Sequence, residues 1–202
     1  MGNVPTSKYC RVCSTHLTKY SNTMSNYRRV YIFGSTYFFT VNVLDRKRTD
    51  LTSPTFRQAL REGIERARLT LPFKMNACVL MPDHIHCIWT LPQDEANYSA
   101  RWAIIKRYVS RVCSQHDTVL NLSRRKRREF GLWQRRFWEH WIRDETYFER
   151  HVNYIYYNPV KHGYVKRVIE WPYSTFHRDV RKGIYSANWG DGINFDEGSF
   201  GE

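Results

Sequence analysis

The tightest constraint in this chain is a pair of strand-length runs, Lys74 to Leu80 and His84 to Thr90, separated only by Met81-Pro82-Asp83. So short a turn returns the second run antiparallel on the first as a hairpin. Upstream, Ser35 to Val43 alternates, with Tyr37, Phe39, Val41 and Val43 on one side and Phe38, Thr40 and Asn42 on the other. That period predicts another strand. Between them, Ser53 and Pro54 suit a helix cap and first position. Phe56, Leu60, Gly63, Ile64, Ala67 and Leu71 share one face of that helix, with Arg57, Arg61, Glu65 and Arg68 largely away from it. After the hairpin, Ser99 is the expected cap of a second helix with Trp102, Ile105, Val109 and Val112 inward. Residues 114–136 read as loop, Phe137 to Ile142 as a fourth strand, and Asp144 caps a third helix that Pro159 is expected to end at Asn158. The order β-α-β-β-α-β-α predicts an α+β fold of the ferredoxin-like split βαβ kind. Its antiparallel sheet has four to five strands with helices packed on it.

The chain has 202 residues, and its 42% hydrophobic and 16% aromatic content is enough to build a core. The expected divisions are an extension over 1–23, a catalytic domain over 24–164 and a C-terminal extension over 165–202, with no internal repeats. No apolar run approaches the ~20 residues that span a bilayer. The first 30 residues lack the apolar stretch of a signal peptide. The expectation is a cytoplasmic protein with no membrane partner. Five cysteines, an odd number, argue against a disulfide framework. Cys10-Arg11-Val12-Cys13 followed by His16 is half a zinc site, and the second pair that a structural zinc wants is absent.

Net charge is +13. Nucleic acid is the commonest partner for such a surplus, because each phosphate contact releases counterions. The candidate contacts are Arg28 and Arg29, then Arg101, Lys106, Arg107 and Arg111 on the second helix, then Arg135 and Arg136. The run Arg124 to Arg128 is either a solvated loop or a further grip on phosphate.

Two patterns carry chemistry. In His84-Ile85-His86, alternate side chains of a strand share a face, so the two imidazoles lie ~6.6 Å apart at their Cα atoms, close enough to converge on one ion. The alternative is two histidines on an ordinary sheet face. On the third helix Tyr147, His151, Tyr154 and Asn158 fall within about 60° of one another, apart from the apolar row Phe148, Val152 and Ile155. Tyr154 and Asn158, one turn apart, are neighbours. The alternative there is a tyrosine covering the core edge and an asparagine closing the helix. A tyrosine nucleophile needs help, because only ~0.1% of a free phenol is ionised at pH 7, a deficit of about 4 kcal/mol. A metal ion offsets this by polarising the phosphate under attack.

The whole pattern resembles a known family. Met81-Pro82-Asp83-His84-Ile85-His86-Cys87-Ile88-Trp89 is similar to the His-hydrophobic-His motif of HUH single-strand nucleases. The stretch Tyr154-Ile155-Tyr156-Tyr157-Asn158-Pro159-Val160-Lys161-His162-Gly163 resembles the tyrosine helix of the REP-associated tyrosine transposases. Similar stretches run from Tyr27-Arg28-Arg29 to Trp171-Pro172-Tyr173-Ser174, so the resemblance covers about residues 24–190. It implies a metal-dependent enzyme that cuts and rejoins single-stranded DNA at repetitive extragenic palindrome (REP) hairpins. By the resemblance, Tyr154 is the nucleophile and forms a 5′-phosphotyrosine, and His84, His86 and Asn158 hold Mg²⁺ or Mn²⁺. Because the phosphotyrosine conserves the bond energy, no nucleotide cofactor is implied. Residues 1–23 and the basic stretch around Arg124 depart from the family pattern. Two other readings stand beside this one: a non-catalytic module that binds hairpin nucleic acid, and a metal nuclease that uses water. A monomer and a homodimer both remain open.

Overall fold

The computed structural model describes residues 29–113 and 131–192. The extension over 1–23, the Cys10–His16 cluster, Arg28, the Arg124 to Arg128 run and the chain beyond 192 lie outside the described residues.

Four strands form one sheet: β1 Thr36–Asn42, β2 Lys74–Leu80, β3 His84–Thr90 and β4 Trp138–Ile142, in the order β2-β3-β1-β4. Every neighbouring pair is antiparallel. β1 and β2 flank β3, which is the split βαβ arrangement expected from the element order. Among the described residues the α-helices are α1 Pro54–Thr70, α2 Tyr98–Cys113, α3 Glu145–Lys161 and a short α4 Phe176–Arg181.

Both faces of the sheet are covered. On one, Tyr37, Phe39, Val41, Ile85, Cys87 and Trp89 are buried in a core completed by α1 and α2. The two helices cross closely at Gly63, where a Cβ would come 3.4 Å from the Ile105 carbonyl oxygen. On the other, Phe38, Ala77, Val79 and Ile88 meet α3 and the segment after it. That segment is built into the core. Trp171 Nε1 donates to Leu80 O at 3.1 Å, and Leu80 N and Thr175 N exchange bonds with Tyr173 O and Cys78 O. It therefore closes the β2 edge of the sheet. Tyr156, fully buried, donates its hydroxyl proton to Asp179 on α4.

Two helix ends differ from expectation. Ser99 lies inside α2 rather than capping it. Asn97 Oδ1 takes the Ala100 N–H at 3.0 Å instead, and the Ser99 hydroxyl engages Arg29 and Tyr31. α3 runs through Pro159 to Lys161. A proline in a last turn forfeits one backbone bond, a small loss for a helix buried on two sides. The α3 start is as expected, with Asp144 accepting from Tyr147 N at 2.8 Å.

Candidate active site

β3 places His84 and His86 on the α3 side of the sheet, 6% and 1% exposed, with ring centroids 4.6 Å apart. Each ring is held by its Nδ1. His84 Nδ1 lies 2.7 Å from Asp83 Oδ1, and His86 Nδ1 lies 2.9 Å from Thr40 Oγ1 across the β1–β3 pair. A carboxylate only accepts, so His84 Nδ1 donates to Asp83, which leaves Nε2 as the nitrogen that can meet a ligand. That Nε2 is buried with no hydrogen-bond partner among the described residues. The His84 hydrogen bond, with the nearby Arg46 guanidinium, holds the Asp83 carboxyl below its ordinary pKa despite burial. The carboxylate therefore stays charged as an anchor.

α3 brings Tyr154 to this pair. Its ring centroid is 5.2 Å from that of His86 and 6.0 Å from that of Phe38. Two turns on, the His162 ring reaches His84 at 5.6 Å. Asn158 lies midway between Tyr154 and His162 along the same helical face and is fully buried. Tyrosine and His pair thus come together within one chain, with Asn158 one helical turn beyond the tyrosine.

The sequence stripe on α3 divides in two. The Tyr147 hydroxyl pairs with His140 Nε2, and the His140 and His151 rings stack at 5.7 Å. These residues form a second polar cluster at the N-terminal half of α3. Burial, only partly countered by a hydrogen bond to Tyr147 O, brings the pKa of His151 down to about 4. Phe38 touches both halves.

The donor set fits a hard divalent ion. Among the described residues no three His, Cys, Asp or Glu side chains form a metal-binding group. An amide oxygen such as that of Asn158 suits Mg²⁺ or Mn²⁺, and two imidazoles leave room for water and phosphate oxygens.

The basic residues are placed unevenly. Arg101 is corrected outright: it is fully buried, and its guanidinium donates to the carbonyls of Leu71, Pro72 and Asn97, bolting the end of α1 to the start of α2. Lys106 is turned inward to Gln134 O at 2.7 Å, and burial brings its pKa down to about 8. Arg29 lies over the Phe137 ring at 4.2 Å and pairs with Glu139. Arg107, Arg111, Arg135 and Arg136 are exposed. Sequence reasoning assigned no role to Asp83 and Thr40. The available signal was a carboxylate immediately before His-x-His and a threonine on the matching side of β1.

No protein-family model matches the chain. It is 46% identical over 176 residues to the REP-associated tyrosine transposase of Escherichia coli (strain K12), covering 87% of this chain and 97% of that protein. A Haemophilus influenzae relative bearing the same family name is 47% identical over 169 residues, covering 83% and 94%. The fold matches a solved structure of a REP-associated tyrosine transposase bound to a REP hairpin, with a TM-score of 0.72 at 46% identity, covering 87% and 97%. With near-half identity along almost the full length of both relatives, and a His pair and tyrosine gathered on one face of the sheet, the chain belongs to the REP-associated tyrosine transposases.

Proposed function

We propose that this chain cuts and rejoins single-stranded DNA at REP hairpins, with Tyr154 as nucleophile and His84, His86 and Asn158 holding Mg²⁺ or Mn²⁺. The observation that carries the reading is Tyr154 packed on His86, beside a His84 whose Nδ1 is anchored on Asp83. Family membership supports the reaction class, and the hairpin bound to the related structure supports the substrate.

The Tyr154 oxygen attacks the phosphorus in line with the 3′-oxygen. The Oη–P bond forms as the P–O3′ bond breaks, the phenol proton passes to solvent, and the leaving oxygen takes up a proton as a free 3′-OH. The number of phosphodiester bonds is unchanged, so a second 3′-OH rejoins the strand by the reverse step. His84, His86 and Asn158 would hold the divalent ion, which would supply charge to polarise a phosphate oxygen. The protein's own contribution is placement. Asp83 and Thr40 orient the imidazoles, Phe38 and His86 seat the phenol, and burial keeps the site dry enough for charge to act strongly. One chain holds both halves, which supports a tyrosine that acts in cis.

The test is a denaturing gel of the protein with labelled hairpin DNA and Mn²⁺, wild type beside Tyr154→Phe. The wild type should form a metal-dependent covalent adduct, and Tyr154→Phe should lose it with a fall in cleavage of at least about 10³-fold. Cleavage without an adduct selects water as nucleophile. Binding without cleavage under any divalent metal selects the hairpin-binding module.

A further inference from the structure

The turn that follows α3 holds an exposed ring in a fixed place. His162 N donates to Asn158 O at 3.0 Å, Gly163 N to Val160 O at 2.9 Å and Tyr164 N to Pro159 O at 2.9 Å. Gly163 takes φ +71°, the left-handed conformation that this closing motif requires. The result sets Tyr164 beside the site with its backbone pinned and its side chain 49% exposed. Behind it is Trp171, ring centroid 5.5 Å away and itself held by the bond to Leu80 O. His162, at 6.4 Å from the Tyr164 ring, in turn touches His84. Lys161, exposed, brings its ammonium to 5.3 Å from the centre of the Tyr154 ring. The rim of the site therefore presents, next to the proposed nucleophile, a cation and then an aromatic face. Single-strand binding proteins use that pairing, with cations along the backbone and rings under the bases.

We propose that Tyr164 is a stacking platform for one base of the unpaired strand flanking the cut, with Lys161 taking the phosphate between that base and Tyr154. This rests on the cleavage reading and adds a binding subsite to it. A rigid backbone and a buried indole behind the ring mean that little side-chain freedom is lost when a base stacks. The subsite tolerates any base, because every base has a π face.

The test reads binding by fluorescence anisotropy. It uses the full chain carrying Tyr154→Phe and a labelled REP hairpin with an unpaired flank, so that no strand is cut. Tyr164→Ala should weaken binding roughly 5- to 100-fold, the worth of one stacked base, and Tyr164→Phe should keep it. Replacing flank nucleotides one at a time by abasic sites should find one position that costs the parent protein a similar factor and costs Tyr164→Ala nothing more. Lys161→Gln should reduce the steepness of log K against log salt by about 0.7. Unchanged affinity of Tyr164→Ala, loss in Tyr164→Phe equal to that in Tyr164→Ala, or an abasic penalty that adds in full to Tyr164→Ala would each overturn the platform. The abasic scan on the parent protein stands even if Tyr164→Ala folds poorly. A missing adduct in the gel assay defeats the cleavage reading and leaves this binding test intact. An adduct beside an unaffected Tyr164→Ala defeats the platform alone.

Discussion

Strand β3 serves two unlike environments with alternate residues. Ile85, Cys87 and Trp89 enter the core under α1 and α2, where Trp89 stacks on Trp102 at 4.4 Å and lies 4.2 Å from Phe73. His84, His86 and Ile88 enter the space under α3. Both sets are equally hidden from water, yet they are held differently. The first set is held chiefly by shape, because dispersion and burial are non-directional, although it also buries the Trp89 indole nitrogen. The second buries imidazole nitrogens, and buried polar atoms demand partners at fixed positions. Asp83 and Thr40 are those partners. The α1–α2 face is held by packing, and the α3 face, beside an apolar core of its own, also holds polar groups in one orientation.

The sharpest way to break this contrast is to cut one side chain from each face. His86→Ala should reduce metal-dependent cleavage by at least about 10³-fold, while changing unfolding free energy by no more than about 1–2 kcal/mol. Trp89→Ala should do the opposite, costing about 3–5 kcal/mol of stability in urea titrations. Cleavage per folded molecule should survive Trp89→Ala. If both variants lose stability and activity alike, the faces are not separate in function.

A smaller effect should appear with pH. His151 is buried neutral on the α3 face with its pKa brought down to about 4, against ~6.5 in an unfolded chain. Between those values the unfolded chain binds more protons, so the stability is complete above about pH 6.5. It falls by up to about 3 kcal/mol as pH drops towards 4. His140, lowered by burial and the nearby Arg143, adds in the same direction. Urea titrations at stepped pH should show this slope flattened in His151→Phe and unchanged in Trp89→Phe. Equal slopes in all three would remove the distinction between the faces. The smallest effect concerns orientation alone. Asp83→Asn keeps an acceptor for His84 Nδ1–H but loses the charge, and Mn²⁺ affinity by calorimetry should fall about 10-fold. An unchanged affinity would show that Asp83 does not govern His84.

Local regularities were legible in the sequence where one physical cause dominated. β2 and β3 have the bounds that alternation and the Met81-Pro82-Asp83 turn predict, and Asp144 caps α3 as its residue type favours. The His pair, Tyr154 and Asn158 were legible by spacing and by resemblance. Other features needed the third dimension. Arg101 lies on the same helix as the exposed Arg107 and Arg111, and nothing in its sequence neighbourhood marks it as the arginine that α1 buries. The α3 stripe appeared to be one surface, but Tyr147 and His151 pair with His140 while Tyr154 turns to His86, because Phe38 rises from β1 between them. Ser99 lost the cap to Asn97 because its hydroxyl found Arg29 and Tyr31, residues about 70 positions upstream.

By itself the sequence determined which residues alternate, which turn, which cap, and that two histidines must share a face of β3. Those are consequences of backbone geometry within a few residues. Only the tertiary structure decided that α3 lies over that face, that Tyr154 rather than Tyr147 meets the histidines, and that Asp83 and Thr40 orient them. Each of these depends on contacts between elements far apart in the chain. Such contacts are set by how whole faces pack and by which buried polar atoms find partners, and no local pattern encodes that choice.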